Sequence, residues 1–319
     1  MKIAILGTIN RDTIYPYRGR KIDSYGGILY NIIALASLMR EEVALLPICN
    51  LGEDVRDAVF KRIERFENID TRGIRIVNRK NNHAILRYTS ANERKEFLEN
   101  RVPPITFHQV ESFLDCDVIL INFISGFDLS LQTLRQVSEK SRGRIFIDVH
   151  SLTLGVAGDG SRFLRRLDNW REWIAQADVI QLNTAEAQIL ADRKTMRDID
   201  LIDFGREIFK AGPDVVLITL ASRGSIVVYE EDCHIKVDRC RAFRTSMSDP
   251  TGCGDVFSAG FVAEYIRSKD PVAASRFANR VAGVNCTLSG LEELHRMGEI
   301  VYGRGHRGGN IAKIRSETE

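Results

Sequence analysis

The stretch that decides the fold runs from residue 118 to residue 147. It reads Val118-Ile119-Leu120-Ile121, then Leu129-Ser130-Leu131-Gln132-Thr133-Leu134-Arg135-Gln136-Val137-Ser138-Glu139-Lys140, then Ile145-Phe146-Ile147. The first and last runs are short, branched and apolar on both faces, which is how parallel strands covered on both sides read. The run between them has the spacing of a helix. A strand, a helix and a second strand in this order make a βαβ unit.

The same alternation extends in both directions. Residues 3–6, 43–48, 179–182 and 215–219 read as further buried strands. Residues 29–39, 55–68, 163–176, 185–191 and 204–211 read as helices between them. The expected architecture is an α/β, doubly wound, mostly parallel sheet. Past Thr251 the pattern becomes helical, over 255–268 and 271–288. Two segments break the alternation. Residues 13–25 are rich in Tyr and charge, and 74–77 and 83–89 are extended runs around Arg79-Lys80-Asn81-Asn82. Together they suggest a small antiparallel β lid, too small for a core of its own. The division is then 1–12, 26–70 and 101–302 for the core, 13–25 and 71–100 for the lid, and 303–319 for a frayed tail.

Composition narrows the function. The chain has 319 residues, 44% hydrophobic and 28% charged, with 45 Lys+Arg against 43 Asp+Glu, a formal charge of +2. So even a balance excludes the strong basic excess of nucleic-acid binders and membrane-surface proteins. Apolar stretches such as 118–121 fall far short of the roughly 20 residues a membrane span needs. The apolar run at the N-terminus is too short for a signal peptide. Six cysteines (Cys49, Cys116, Cys233, Cys240, Cys253, Cys286) have no CxxC spacing and read as thiols in a reducing compartment, hence the cytoplasm. Asn285-Cys286-Thr287 matches a glycosylation sequon but has no export signal to support it. The histidines lack zinc-ligand spacing. Neither a P-loop nor a Gly-x-Gly-x-x-Gly after the first strand occurs.

The chemistry gathers at Ser248-Asp249-Pro250-Thr251-Gly252-Cys253-Gly254-Asp255, which opens an apolar helix. Glycines at 252 and 254 allow a tight turn and close approach of a ligand. The first N–H groups of the helix point back into that turn and make an anion site. With Asp255 beside it, the arrangement suits transfer of a phosphoryl group to an alcohol. The Gly252, Cys253 and Gly254 N–H groups hold the developing charge, and Asp255 takes the hydroxyl proton. At a helix N-terminus Asp255 is expected to stay ionised at neutral pH. The plain alternative is a capped helix start.

Asp249-x-Thr251-Gly252-x-Gly254-Asp255 resembles the C-terminal signature of the ribokinase-like (PfkB) family of carbohydrate and nucleoside kinases, with Cys253 where that family usually has Ala. The resemblance covers nearly the whole chain. It implies that Asp12 grips substrate hydroxyls, that the Gly26-Gly27 backbone lies against the substrate, and that the Asn31 side chain points into the same pocket. Asn183-Thr184-Ala185-Glu186 reads on its own as a capping box; the resemblance adds ordering of Mg²⁺, through Glu186 by way of water and through Asn183, near ATP. Thr219-Leu220-Ala221-Ser222-Arg223-Gly224 resembles the nucleotide loop, which implies that Thr219 and Gly224 contact ATP. Ala221 replaces a glycine there, which puts a positive φ in doubt. Asn279 is implied on the adenine side. His150 stands where the family has Asn, with no role assigned. A monovalent-cation site near Asp249 and Ser289 and a homodimer through the lid are raised by the same resemblance.

The resemblance implies an ATP- and Mg²⁺-dependent kinase that phosphorylates a hydroxymethyl group of a sugar. A nucleoside kinase is the alternative, and a non-catalytic sugar or nucleotide sensor is a third reading. A nucleoside calls for aromatic stacking, for which Tyr15, Tyr17, Tyr25, Tyr88 and Phe123 are available. A phosphosugar calls for cations, for which Arg11, Lys80 and Arg87 are available.

Overall fold

The structure is a computed structural model and describes residues 1–39, 43–90, 93–245 and 250–303. Fifteen strands are described among these residues. They are β1 Lys2–Gly7, β2 Ile9–Tyr15, β3 Ile22–Gly27, β4 Ala44–Gly52, β5 Ile74–Val77, β6 His83–Tyr88, β7 Arg94–Glu99, β8 Val118–Asn122, β9 Arg144–Asp148, β10 Leu154–Val156, β11 Arg162–Leu164, β12 Val179–Asn183, β13 Val215–Thr219, β14 Ser225–Glu231 and β15 His234–Cys240. The helices are α1 Ile28–Leu38, α2 Arg56–Ile63, α3 Phe107–Val110, α4 Leu131–Lys140, α5 Trp170–Ile174, α6 Thr184–Leu190, α7 Asp198–Phe209, α8 Cys253–Ser268, α9 Pro271–Asn285, α10 Leu291–Leu294 and α11 Met297–Tyr302.

The large sheet has nine strands in the order β15-β14-β13-β12-β9-β8-β1-β4-β5. It is parallel from β13 to β5, and β14 and β15 add an antiparallel edge. Alternation along each strand feeds two separate cores. Ile3 and Ile5 of β1 pack with α1, α8 and α9 on one face, and Ala4 and Leu6 pack with the α4, α6 and α7 side on the other. All four are fully buried, which explains why the central strands show no polar alternation. Helix starts follow local chemistry. Ser130 accepts from the Thr133 N–H ahead of α4 (3.0 Å), and Asp270 accepts from Val272 and Ala273 ahead of α9, with Pro271 in the first turn.

The small sheet has the order β3-β2-β6-β7, two antiparallel hairpins joined by a parallel β2–β6 pairing. Two expectations about it change. Residues 74–77, assigned to the lid, form β5 and pair in parallel with β4 at the edge of the large sheet. The second lid hairpin is instead β6–β7. In addition, β2 begins at Ile9 and β3 runs through Gly27, so Asp12, Gly26 and Gly27 lie on lid strands rather than on the core. The helix expected over 163–176 is β11 followed by the short α5. Arg162–Leu164 pairs with Leu154–Val156, and Phe163 lies over Gly155, a position with no side chain to obstruct it. The hairpin β14–β15 went unread, because its turn places Asp232 and Cys233 at φ 51° and 60° without the Asn-Gly or Asp-Gly that usually marks such turns. No described helix is long and apolar enough to cross a membrane. The tail beyond residue 303 and Asp249, with the cation site placed near it, lie outside the described residues.

Candidate active site

Neighbouring parallel strands end side by side. Gly7 pairs with Asn122, Asn122 with Asp148, and Asp148 with Gln181. Their carboxyl ends meet the first turn of α8, the crevice where open α/β sheets place ligands. Asp255 sits there and is 6% exposed. The Asn122 amide donates to Asp255 Oδ1 (2.8 Å) and also lies 3.0 Å from Asn31 Oδ1. The Asn31 amide in turn donates to the Asp255 carbonyl (2.8 Å). The helix field and the Asn122 bond favour the carboxylate, yet loss of water outweighs both and pushes the Asp255 carboxyl up to about 7. This corrects the expectation of a fully ionised group. A carboxyl poised near neutrality is a better proton acceptor than an ordinary aspartate.

The turn before Asp255 is shaped by its glycines. Gly252 has φ 73°, and a Cβ there would run into the Tyr30 ring. A Cβ on Gly254 would meet none of the described residues within 4 Å, so the turn is open on that side. One of the three expected amide donors is engaged, since the Cys253 N–H donates to the Pro250 carbonyl (3.2 Å). From below, Gln181 Nε2 donates to the Gly254 carbonyl (3.1 Å) and to Asp148 Oδ2 (2.7 Å). The Ser258 hydroxyl reaches Asp148 Oδ2 at 2.9 Å. Burial first, and the nearby Asp255 second, push the Asp148 carboxyl up to about 8.

On the lid side, Asp12 faces the same cleft and is half-buried. Loss of water, then Glu96 and then Asp255, push its carboxyl up to about 8. Gly26 on the adjacent strand leaves room for this carboxyl, because a Cβ there would overlap Asp12 Oδ2. Gly27 has φ 67° and its Cβ would collide with the Thr8 carbonyl, so the entry to α1 requires glycine. Asn31 differs from expectation. It is fully buried, and its amide joins Asn122 to the backbone of Asp255 instead of standing open in the pocket.

At the end of β12, Asn183 and Glu186 form the capping box. Glu186 Oε2 accepts from the Asn183 N–H (2.8 Å), and Asn183 Oδ1 accepts from the Glu186 N–H (3.0 Å). Burial, and next the nearby Asp148, push the Glu186 carboxyl well above the usual range. Asp255 adds to this effect from further off; among the described residues no three acidic, His or Cys side chains converge closely enough to hold a metal by themselves, so a Mg²⁺ here would draw on phosphate and water oxygens as well. Thr219 ends β13, and its carbonyl lies 3.4 Å from the Thr184 hydroxyl. Gly224 has φ 94°, with the Cys240 carbonyl where a Cβ would be. Ala221 has φ 51°, so the loop keeps its left-handed residue without the glycine. Asn279 is 7% exposed, and its amide donates to Ser225 Oγ (2.8 Å). It ties α9 to β14 beneath the loop and does not stand open to a nucleobase.

Two neighbours of Asp255 were not assigned from sequence. Asn122 had a legible signal, as the first polar residue after an apolar run and at the carboxyl end of a central strand. His150 has φ 36° and places Nε2 4.0 Å from Asp255 Oδ1. Burial, then Arg162 and Arg94, push its imidazole down to about 4, so it is neutral beside Asp255.

A twisted parallel sheet with a β lid, a buried carboxyl at a glycine turn and an open helix N-terminus define a kinase that phosphorylates an alcohol group. The model of the pfkB family of carbohydrate kinases matches residues 23–295, and the chain belongs to that family. It is 23% identical over 275 residues to a cytidine kinase of Thermococcus kodakarensis, covering 84% of this chain and 90% of that one. It is 22% identical over 310 residues to a ribokinase of Haemophilus influenzae, covering 91% and 94%. The crystal structure of ribokinase from Thermotoga maritima superposes with a TM-score of 0.72 at 15% identity, covering 94% of this chain and 98% of that one.

Proposed function

We propose that this chain transfers the terminal phosphoryl group of ATP to a hydroxymethyl group of a neutral sugar. The observation that carries the reading is the placement of Asp255, buried at the open glycine turn and across the cleft from Asp12. In this reading Asp12 grips hydroxyls of the sugar from the lid. Asp255 accepts the proton of the attacking hydroxyl, with Asn122 fixing the direction of its carboxyl. The open face of the turn at Gly252 and Gly254 receives the transferring phosphoryl group at the helix N-terminus. ATP lies along Thr219–Gly224. Glu186 and Asn183 would hold Mg²⁺ through water, and the metal would neutralise phosphate charge. ATP as donor agrees with a cytoplasmic setting.

A neutral sugar is favoured because the aromatic candidates for a nucleoside lie against other side chains and two of the cations offered for a phosphosugar are exposed to solvent. Phe123 is fully buried against Trp173, and Arg62, Arg87 and Arg94 lie over Tyr25, Tyr15 and Tyr88. Arg11 and Lys80, offered for a phosphosugar, are exposed on the lid strand β2 and in the turn before β6. The name of the Thermococcus relative keeps a nucleoside as the second reading. ADP release measured against sugars, phosphosugars and nucleosides separates these, and a rate confined to nucleosides rejects the sugar. Asp255→Asn should lower kcat by about 10²–10⁴-fold while the thermal transition stays in place. A near wild-type kcat for this variant would remove Asp255 from the role of base.

A further inference from the structure

We propose that Cys253 and Cys286 form a reversible dithiol–disulfide pair whose oxidation shuts the phosphoryl-binding turn. The two sulfurs lie 3.0 Å apart. Both residues are partly exposed, so a small oxidant can reach them. The remaining cysteines differ: Cys49, Cys116 and Cys240 are buried and Cys233 is exposed on the β14–β15 turn.

The surroundings explain why this pair matters. Cys253 is the first residue of α8 and lies between the two glycines of the turn. Cys286 directly follows α9. The end of α9 clasps the turn at several points. Asn285 Nδ2 donates to the Thr251 carbonyl (2.9 Å) and approaches Cys253 Sγ (3.3 Å). The Cys253 thiol also donates to the Ala282 carbonyl (3.6 Å). The Asn285 amide hydrogen and the first turn of α8 favour the thiolate, the form that reacts, while the Ala282 carbonyl favours the thiol.

The oxidant is a peroxide. The Cys253 thiolate attacks one peroxide oxygen, so an S–O bond forms, the O–O bond breaks and hydroxide leaves. The Cys286 thiolate then attacks that sulfur, so the S–S bond forms and the second hydroxide leaves. With the two thiol protons, hydrogen peroxide becomes two waters and the sulfurs give up two electrons. A disulfide has sulfurs about 2.05 Å apart. Closing the gap pulls Cys253 toward α9, strains its turn to the Pro250 carbonyl and displaces the neighbouring amides. A shift on the order of 1 Å in a phosphoryl-positioning group can cost about 10²-fold in rate.

The inactivation rests on the kinase reading above; formation of the bond does not. The test uses the full chain with Cys233→Ser, treated with hydrogen peroxide and mapped without reduction. The expected result is a linked 253–286 peptide, ADP release down about 10²-fold, and recovery with dithiothreitol. Cys286→Ser in the same background should keep its starting rate through the treatment, with an unchanged thermal transition before it. Absence of the linked peptide overturns the proposal. So does a linked protein with full activity, or equal inactivation of Cys286→Ser. Mapping reads the bond even if no acceptor supports turnover, so failure of the kinase reading and failure of the pair give different results.

Discussion

Asp255 is set between opposing influences at the level of single atoms. Burial drives its carboxyl toward the neutral form, while the Asn122 amide and the helix amides favour the charged one. Asn122→Leu removes the amide and keeps the volume. The Asp255 carboxyl should then rise above about 7, so the acidic limb of the kcat/KM profile moves to higher pH and kcat at neutral pH falls. Leaving a buried carboxyl without its donor should also cost about 1–3 kcal/mol of stability. A merely structural role for Asn122 would lower the thermal transition and leave the pH profile where it was. The residues of this site were partly legible. Asp255, Gly252, Gly254 and Asp12 announce themselves through turn chemistry and motif. Asn31 and Asn279 carry the same motif-level signal, yet their amides are engaged inside the protein, a fact set by which neighbours reach them.

Among elements, the contact between lid strands β2 and β3 sets the place of Asp12, which the proposed function makes the substrate grip. Gly26 stands beside the Asp12 carboxyl, and its missing side chain is what admits that carboxyl. Gly26→Ala should raise KM for the acceptor while moving kcat less, because Asp12 must rotate away from its place and Asp255 stays undisturbed. An unchanged KM would show that Asp12 does not touch the acceptor. The βαβ units were readable because their strands are apolar on both faces and their helices carry caps. The lid and the β14–β15 edge were harder. The lid strands and β15 are half-exposed and mixed in composition, β14 is buried over Ser225–Val228 but leads into an unmarked turn, and β5 has the same short run whether it pairs in the lid or with β4.

Three carboxyls raised by loss of water give the whole molecule an unusual response to pH. Asp255, Asp148 and Asp12 titrate at about 7, about 8 and about 8 in the folded chain, against 3.8 for the ordinary group. Between those limits the folded chain holds protons that the unfolded chain has released. Stability therefore falls as pH rises through that window and levels off above it. His150, held down to about 4, works in the opposite direction below its ordinary value of 6.5, and one imidazole is outweighed by three carboxyls. The thermal transition without nucleotide or Mg²⁺ should be lower at about pH 8.5 than at about pH 6. A flat profile would mean that these carboxyls stay hydrated. The outer lid strand β3 also leaves Ile22 50% exposed at an open sheet edge, with Tyr17 56% exposed in the turn before it. We propose that two copies pair through their lids. Light scattering should give twice the chain mass, and a monomer mass rejects the pairing.

From residue order alone came the alternating strands and helices, the glycine turn before α8 and the chemistry that a carboxylate at a helix N-terminus supports. These are legible because burial on two faces, capping and backbone freedom act over a few neighbouring residues. Only the tertiary structure decided which way Asp255 titrates, that Asn122 and His150 flank it, and that Cys253 meets Cys286 across 33 residues of chain. Those outcomes depend on desolvation and on contacts between distant segments, and both arise only when the sheet, the helices and the lid have closed around one another.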